Sequence, residues 1–316
     1  MPDPTPRPGQ ERVVAPPDEV QLGTVDAVDE TEAPSGLWTE AWRELRRKPL
    51  FWVSAAIIVL VVVVAAVPGL FAREDPAFCQ LTRSLGDPTS GHPFGFDFQG
   101  CDIYARTVFG ARASVVVGVL TTLVVAVIGT AVGSAAGFYG GWFDAVLSRV
   151  TDTFFAVPLV LAAVTVMSIF RTSRNIMTVV LVLGVFGWPQ IARIARGAVM
   201  SVKNADFVTA ARSLGASRFA TLLRHLIPNA LAPIIVTATV ALGTFIVAEA
   251  TLSFLGIGLP TTVVSWGQDI AKAQGQLRTA PHVLFYPAGA LALTVLGFIM
   301  MGDAVRDALD PKSRKR

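Results

Sequence analysis

The chain has 316 residues, 53% of them hydrophobic, with 26 Lys and Arg against 23 Asp and Glu for a net charge of +3, and its mean hydropathy is +0.57. Length alone would allow two soluble domains, but the apolar residues fall in long runs and place the chain in the membrane class. A small charge whose basic residues flank apolar runs, without forming a stripe, excludes nucleic acid as a partner, and two cysteines exclude a disulfide scaffold.

Residues 1–36 are rich in Pro, Asp, Glu and Thr and poor in aromatics. They bury too little apolar surface to fold alone and are expected to form a disordered cytoplasmic tail. A secretory signal is excluded because the first apolar run begins only near Leu50. Residues 37–49 suit an amphipathic surface helix, with Trp42 and Leu45 on one side and Arg43, Arg46, Arg47 and Lys48 around it.

A helix needs ~20 residues to cross a ~30 Å apolar core. The first such run is 50–71, and a polar segment with a lead-in helix, 72–113, carries both cysteines. A core of five further spans follows over 114–302. The second span, 114–138, carries Gly129, Gly133 and Gly137, a small-residue spacing that lets another helix approach closely. The third covers 153–170 with Pro158 near its start, and the fourth covers 176–192, interrupted by Gly187 and Pro189. The fifth covers 233–255 and the sixth 282–301, with a charged tail at 303–316. The expected fold class is an all-α integral membrane protein with six transmembrane helices, since runs this long exclude a barrel.

With the N-terminus in the cytoplasm, the inside segments from residue 37 onward carry sixteen Lys and Arg and the outside segments eight. The asymmetry predicts both termini and the loop 203–228 to be cytoplasmic. Cys79 and Cys101 then share the oxidising face. A disulfide is the expected state, two free thiols the alternative.

Residues 205–228 are less apolar than the runs on either side and contain Arg212, Arg218 and Arg224. Two short helices are predicted. Asn204 or Asp206 would cap the first, and Phe207, Ala210, Ala211 and Leu214 would share one narrow apolar face. Gly215 suits the left-handed position after a helix end. Ser217 would cap the second helix, Phe219, Leu222, Leu223 and Leu226 would supply its apolar side, and Pro228 would end it. Such a pair either docks another protein or packs on its own membrane domain.

This segment resembles the EAA loop of binding-protein-dependent ABC importer permeases. Thr209, Ala210, Ala211, Gly215, Ile227 and Pro228 fall at that loop's spacing, with Thr209 where Glu is usual and His225 where Ile is usual. Residues 92–114, HPFGFDFQGCDIYARTVFGARAS, are similar to the FGTDxxGRDxxSRxxxGARxSL segment of the dipeptide/oligopeptide permeases (C-type subunit), with Cys101 in place of Arg. Residues 247–268 resemble that group's AEASLSFLGLG…PSWG, and 302–311 its GDxLRDxLDP terminus.

The resemblance implies a MetI-like type I importer fold in the bacterial cytoplasmic membrane. It implies a second permease subunit as heterodimer partner, two ABC ATPase subunits or domains, and an extracytoplasmic solute-binding protein that delivers a peptide. ATP and Mg would be bound by the ATPases, and no cofactor by this chain. The coupling residues would be Phe207, Thr209, Ala210, Ala211, Arg212, Leu214, Gly215, Ala216, Arg218 and Pro228. Nickel, glutathione or haem are alternative cargoes within the same resemblance.

No catalytic set is evident. A Walker A loop needs Gly immediately before Lys, and the five lysines follow Arg47, Val202, Ala271, Pro311 and Arg314. No metal cluster is evident around His92, His225 or His282. Glu249 is the one carboxylate well inside a span, where a charge costs at least ~2.5 kcal/mol. It would either line the path or hold the bundle through a neighbour such as Ser253. As a proton site it would suit a secondary transporter, but no internal repeat supports that class.

Overall fold

Proline sets the frame of this fold by deciding where each apolar run starts, bends or continues. The structure, a computed structural model, describes residues 37–309, so the expected disordered tail at 1–36 lies outside the described residues. By compactness the chain divides after Glu40, and residues 41 onward form one unit. The described residues are helical, with only isolated β-bridges in the loop before the second long helix.

Helix α1 is Leu37–Leu45 and α2 is Pro49–Ala66, with Pro49 in its first turn, where the missing N–H is no loss. The polar segment then folds into turns closed by a Cys79–Cys101 disulfide and an antiparallel bridge at the same two residues. Gly100 has to be glycine there: its φ is +74°, and a Cβ would sit 1.8 Å from the Gln80 carbonyl oxygen. Closing a loop with this sequence separation of 22 restricts the unfolded chain by about 3 kcal/mol in the loop-entropy account.

Helix α3 runs unbroken from Ile103 to Tyr139, so the lead-in helix and the second span are one element of 37 residues. Asp102 caps it, accepting from the Tyr104 N–H at 2.8 Å.

The expected third span is not one straight helix. It comprises α4, Gly141–Ala156, and α5, Leu159–Ile169, bent by 79° at Val157 and Pro158. Pro158 forces the preceding residue out of the helical region, and Val157 lies at φ −87°, ψ 119°. The expected fourth span is likewise α6, Ile176–Gly187, and α7, Pro189–Val202, bent by 46°. Trp188 stays in the helical region and Pro189 restarts the helix, so the element continues ten residues beyond the expected end at Ala192.

Next come α8, Asp206–Ser213, and α9, Arg218–Thr221. The expectation that Pro228 ends the second short helix is wrong. A π-turn over Leu222–Leu226 leads straight into α10, Ile227–Phe254, giving one continuous 37-residue helix from Arg218. The wider turn absorbs the N–H that Pro228 lacks. The Asn229 side chain also donates to the His225 carbonyl oxygen at 2.7 Å. Helix α11 is Trp266–Ala273. Helix α12, His282–Leu309, continues through residues expected to be tail.

Among the described residues, four helices are long and apolar enough to cross a membrane, and six spans result if each bent pair counts as one. Helix α3 is central: α2, α6, α7 and α10 all pack on it, and α12 lies across α10 and α2. The main core joins α3, α5, α6, α7 and α10 through Val117, Met167, Leu183, Ile191, Phe245 and Leu252. Many large apolar residues, such as Val59, Val127 and Leu181, face outward, as lipid-exposed helices require.

Candidate functional site

The helix pair α8–α9 has two apolar sides. Val208 points inward and joins Phe138, Val199, Leu222, Leu226 and Ala230 in a small core that fastens the pair to α3, α7 and α10. Arg212 adds to this anchorage, its guanidinium lying 5.2 Å from the Phe138 ring centre. The outer side is largely uncovered: Phe207 is 41% exposed, Leu214 89% and Phe219, which borders an apolar groove against α3, 63%. Thr209, Ala210 and Arg218 are exposed beside them, and Ala211 and Ala216 are half-buried. Most of the residues predicted to couple to a partner are thus brought to one outward surface, whereas Leu222 and Leu226 are turned to the interior.

The corner between the two helices is rigidly specified. Gly215 has φ +88°, its N–H donates to the Arg212 carbonyl at 3.0 Å, and the Ala216 N–H donates to the Ala211 carbonyl at 3.1 Å. These are the two bonds of a Schellman motif. Ser217 caps α9 by accepting from the Ala220 N–H at 3.2 Å. Neither Asn204 nor Asp206 caps α8; Ala205 occupies that position without a side-chain bond. Asp206 instead sits in the first turn, where its charge suits the helix dipole.

Helix α7 leads directly into this pair and rests on α3 through the three glycines. A Cβ at Gly133 would lie 2.1 Å from the Ala192 carbonyl oxygen, one at Gly137 2.7 Å from that of Arg196, and one at Gly129 2.8 Å from the Ile191 Cβ. The facing atoms are mostly backbone, so the helices touch almost without intervening side chains. Arg196 grips Asp144 of α4 with two bonds of 2.6 Å, and Arg193 meets Asp152 at 2.8 Å. Lys203 donates to the Gly137 carbonyl at 3.3 Å.

Glu249 is wholly buried and faces three hydroxyls. Ser253 of α10 donates at 2.8 Å, Ser114 of α3 at 3.1 Å and Ser265, the cap of α11, at 3.3 Å. Ser253 and Ser265 in turn accept from the N–H groups of Leu259 and Gln268. The carboxylate therefore ties three elements together like a post.

The quoted stretches 92–114 and 247–268 converge around that post. Trp266 donates from its indole to the Thr107 carbonyl at 2.7 Å and packs against Gly110. Arg112 donates to the carbonyls of Ala65 and Ala66, finishing the end of α2. Arg106 donates from Nε to Asp269 Oδ1 at 2.8 Å, places Nη2 on the same oxygen, and reaches the Pro76 carbonyl with Nη1. Asp269 Oδ2 has no partner among the described residues. Burial therefore pushes this carboxyl above the usual carboxylate range, against the pull of Arg106. Burial also holds the neighbouring Lys272 below the usual lysine range.

A prediction follows from this pair. Arg106→Met leaves a buried carboxylate with no counter-ion and should cost about 3–5 kcal/mol. Asp269→Asn also leaves Arg106 without its counter-ion, but it keeps an accepting amide oxygen for the guanidinium, which retains the Pro76 carbonyl, and removes the carboxyl that burial penalises, so it should cost less. A carboxyl whose folded pKa is raised makes its full stabilising contribution below its unfolded value and loses it as pH rises through the folded one. Thermal unfolding of the solubilised protein should therefore show a loss of stability on raising the pH above the ordinary value of 3.8 that Asp269→Asn removes.

Sequence reasoning named Ser253 beside Glu249 but missed Ser114 and Ser265 there, as well as Val208 and the Arg106–Asp269 pair. It also missed a grouping in the disulfide loop, where Glu74, His92 and Asp102 bring one ligand atom each within 4.8 Å of one another.

Comparison with known proteins places these features in context. Residues 129–315 match the family described as binding-protein-dependent transport system inner membrane component. Residues 36–87 match the N-terminal TM domain of oligopeptide transport permease C. The chain is 37% identical over 290 residues to the oligopeptide transport system permease protein OppC of Bacillus subtilis (strain 168), covering 92% of this chain and 94% of that protein. It is also 37% identical over 276 residues to the glutathione transport system permease protein GsiD of Escherichia coli O6:K15:H31, covering 87% and 90%. Among solved structures, a chain of the MetNI methionine ABC transporter, in inward-facing form, superposes with a TM-score of 0.55 at 21% identity, over 65% of this chain and 96% of that one. That likeness concerns the fold.

Proposed function

The chain belongs to the family of binding-protein-dependent transport system inner membrane components, and from that premise we propose that it carries short peptides inward as one half of a heterodimeric permease. It is a permease subunit of an ABC importer. Two ATPase subunits or domains bind ATP and Mg and drive it, and an extracytoplasmic binding protein delivers the cargo. This chain supplies no phosphate-binding loop and no cofactor. Both termini and the α8–α9 corner face the cytoplasm of a bacterial cell.

One observation supports this reading above the others. The α8–α9 pair is clamped to its own chain on one side by Val208 and leaves Phe207 and Leu214 uncovered on the other. A clamped element with a free apolar face is built to receive force from a partner and pass it on. The peptide cargo is supported by the relatives named for oligopeptide and glutathione transport, glutathione being itself a tripeptide.

The test is uptake by proteoliposomes holding the co-expressed permease pair and ATPases, with the binding protein outside. ATP-dependent accumulation of labelled three- to five-residue peptides is expected. Accumulation of glutathione alone would narrow the cargo to the second relative's. Uptake driven by a proton gradient without ATP would overturn the proposal.

A further inference from the structure

The loop between α2 and α3 holds a histidine placed between two carboxylates. His92 Nδ1 lies 2.9 Å from Asp102 Oδ2, and on the other side of the ring Nε2 lies 3.6 Å from Glu74 Oε2. Asp102 is buried, and its other oxygen is engaged by the Tyr104 N–H, so the carboxylate cannot swing away. The Phe96 ring supports the imidazole at a centroid separation of 4.7 Å.

This arrangement has a directional consequence. An acceptor fixed at Nδ1 keeps the proton on that nitrogen and turns the Nε2 lone pair outward. A carboxylate behind a histidine is the usual way of orienting a metal-binding imidazole. Zn²⁺ bonds of about 2.0–2.1 Å at a tetrahedral angle separate adjacent ligand atoms by about 3.4 Å. The observed 3.6 Å between Nε2 and Glu74 Oε2 is close to that edge. The side chains of Glu74 and His92 are 35% and 15% exposed, which gives water access to the remaining positions; on another side His92 borders an open cavity of about 510 Å³ with Arg83, Asp87, Thr89 and Ser90.

We infer that His92 Nε2 and Glu74 form a binding site for a borderline divalent cation of the Zn²⁺ type, oriented by Asp102 and completed by water. Its charges balance: a dication with neutral imidazole offsets the Glu74 and Asp102 carboxylates. The site needs no peptide and no ATPase, so it stands or falls apart from the transport reading. The disulfide holds its scaffold, since Cys101 immediately precedes Asp102 and is bonded to Cys79, five residues beyond Glu74.

The test is a Zn²⁺ titration of the purified full-length complex, stripped with chelator and monitored with a competing chromophoric chelator. One equivalent per chain with Kd below about 10 µM is expected. His92→Gln and Glu74→Gln should each remove that equivalent. Asp102→Asn keeps a capping oxygen for α3 but replaces the acceptor behind the ring, and should weaken binding by about 10- to 100-fold. Metal-free unfolding temperatures check that each variant is folded, and Glu74→Gln, being partly exposed, keeps the test decisive if a His92 variant misfolds. Absence of the equivalent in the wild-type chain, or its survival in a folded Glu74→Gln, overturns the inference.

Discussion

The double substitution Phe207→Ser, Leu214→Lys is expected to cut ATP-driven uptake by about 30- to 700-fold in a chain that still folds. The expectation rests on what the two side chains do not touch. Leu214 is 89% exposed at the C-cap of α8 and Phe207 is 41% exposed in its first turn, so neither supplies much of the core. Serine suits an N-terminal turn, and a lysine at a helix C-terminus is favoured by the helix dipole. Removing apolar anchors from the centre of an interface costs about 2–4 kcal/mol, which at 1.4 kcal/mol per tenfold is about 30- to 700-fold in association. The checks are the amount of ATPase that co-purifies and the uptake rate. Thr209→Ala should change both by less than about threefold, because the usual glutamate is already absent at that position and the joint relies on shape. Val208→Asp is the contrasting variant: it places a charge in the small core behind the helix and should lose folded protein. Undiminished ATPase binding by the double variant would remove the coupling surface from Phe207 and Leu214.

Sequence reasoning reached the helix pair because its cues are local. Ser217, Gly215 and the spacing of Phe207, Ala210, Ala211 and Leu214 lie within one or two turns of the features they determine. Period alone, however, could not say which apolar side meets a partner. Val208 stands one position off the face that was read, and it is Val208 that binds the pair to its own chain. The spans were legible as apolar runs, but their bends were not. Pro158, exposed after an extended Val157, and Pro189, buried after a helical Trp188, sit at bends of 79° and 46°, while Pro228 produces none because a π-turn precedes it. Which outcome a proline takes depends on the carbonyls it strands and on what else can satisfy them. Ser253, one turn from Glu249, was within reach of such reading, but the rest of the network around Glu249 and Arg106 was not. Its bonds join residues 135 and 163 positions apart and leave no periodic trace.

Those long-range contacts explain why the quoted stretches 92–114 and 247–268 carry so much polar and glycine character beside a membrane. They form a rigid buckle: Glu249 with its three serines, Trp266 over Gly110, Arg106 on Asp269 and Arg112 on the end of α2. Two routes join the helix pair α8–α9 to the buckle. One is direct, because α9 runs through the π-turn into α10, which carries Glu249. The other passes along α7 and into α3 across the glycine seam, reinforced by the Arg196–Asp144 pair and by Lys203 on the Gly137 carbonyl.

Gly133→Val should break that seam and cause a large loss of stability. A Cβ at Gly133 would meet the Ala192 carbonyl oxygen at 2.1 Å and the Ala192 carbonyl carbon at 2.8 Å. Both are backbone atoms in mid-helix and cannot turn aside as a side-chain tip could, so α7 must move away from α3 as a body. That separation exposes backbone on both helices and loosens the core at Ile191 and Leu183. Overpacking costs about 1–3 kcal/mol when a core can adjust, and more when it cannot; a rigid seam belongs to the second case. Loss of about 4 kcal/mol or more is therefore expected, seen as a collapse in the yield of folded complex and in its unfolding temperature. The matched control lies on the opposite helix. Gly197 of α7 is exposed and a Cβ there meets nothing within 4 Å, so Gly197→Ala should be neutral or slightly stabilising through helix propensity. Gly133→Ser, with a smaller side chain and the same Cβ clash, should fold in part and separate stability from coupling. If its surviving complex binds ATPase normally yet transports slowly, the seam transmits the stroke. If that complex transports at the wild-type rate per folded molecule, the α3–α7 contact is structural alone and the stroke reaches the buckle through α10.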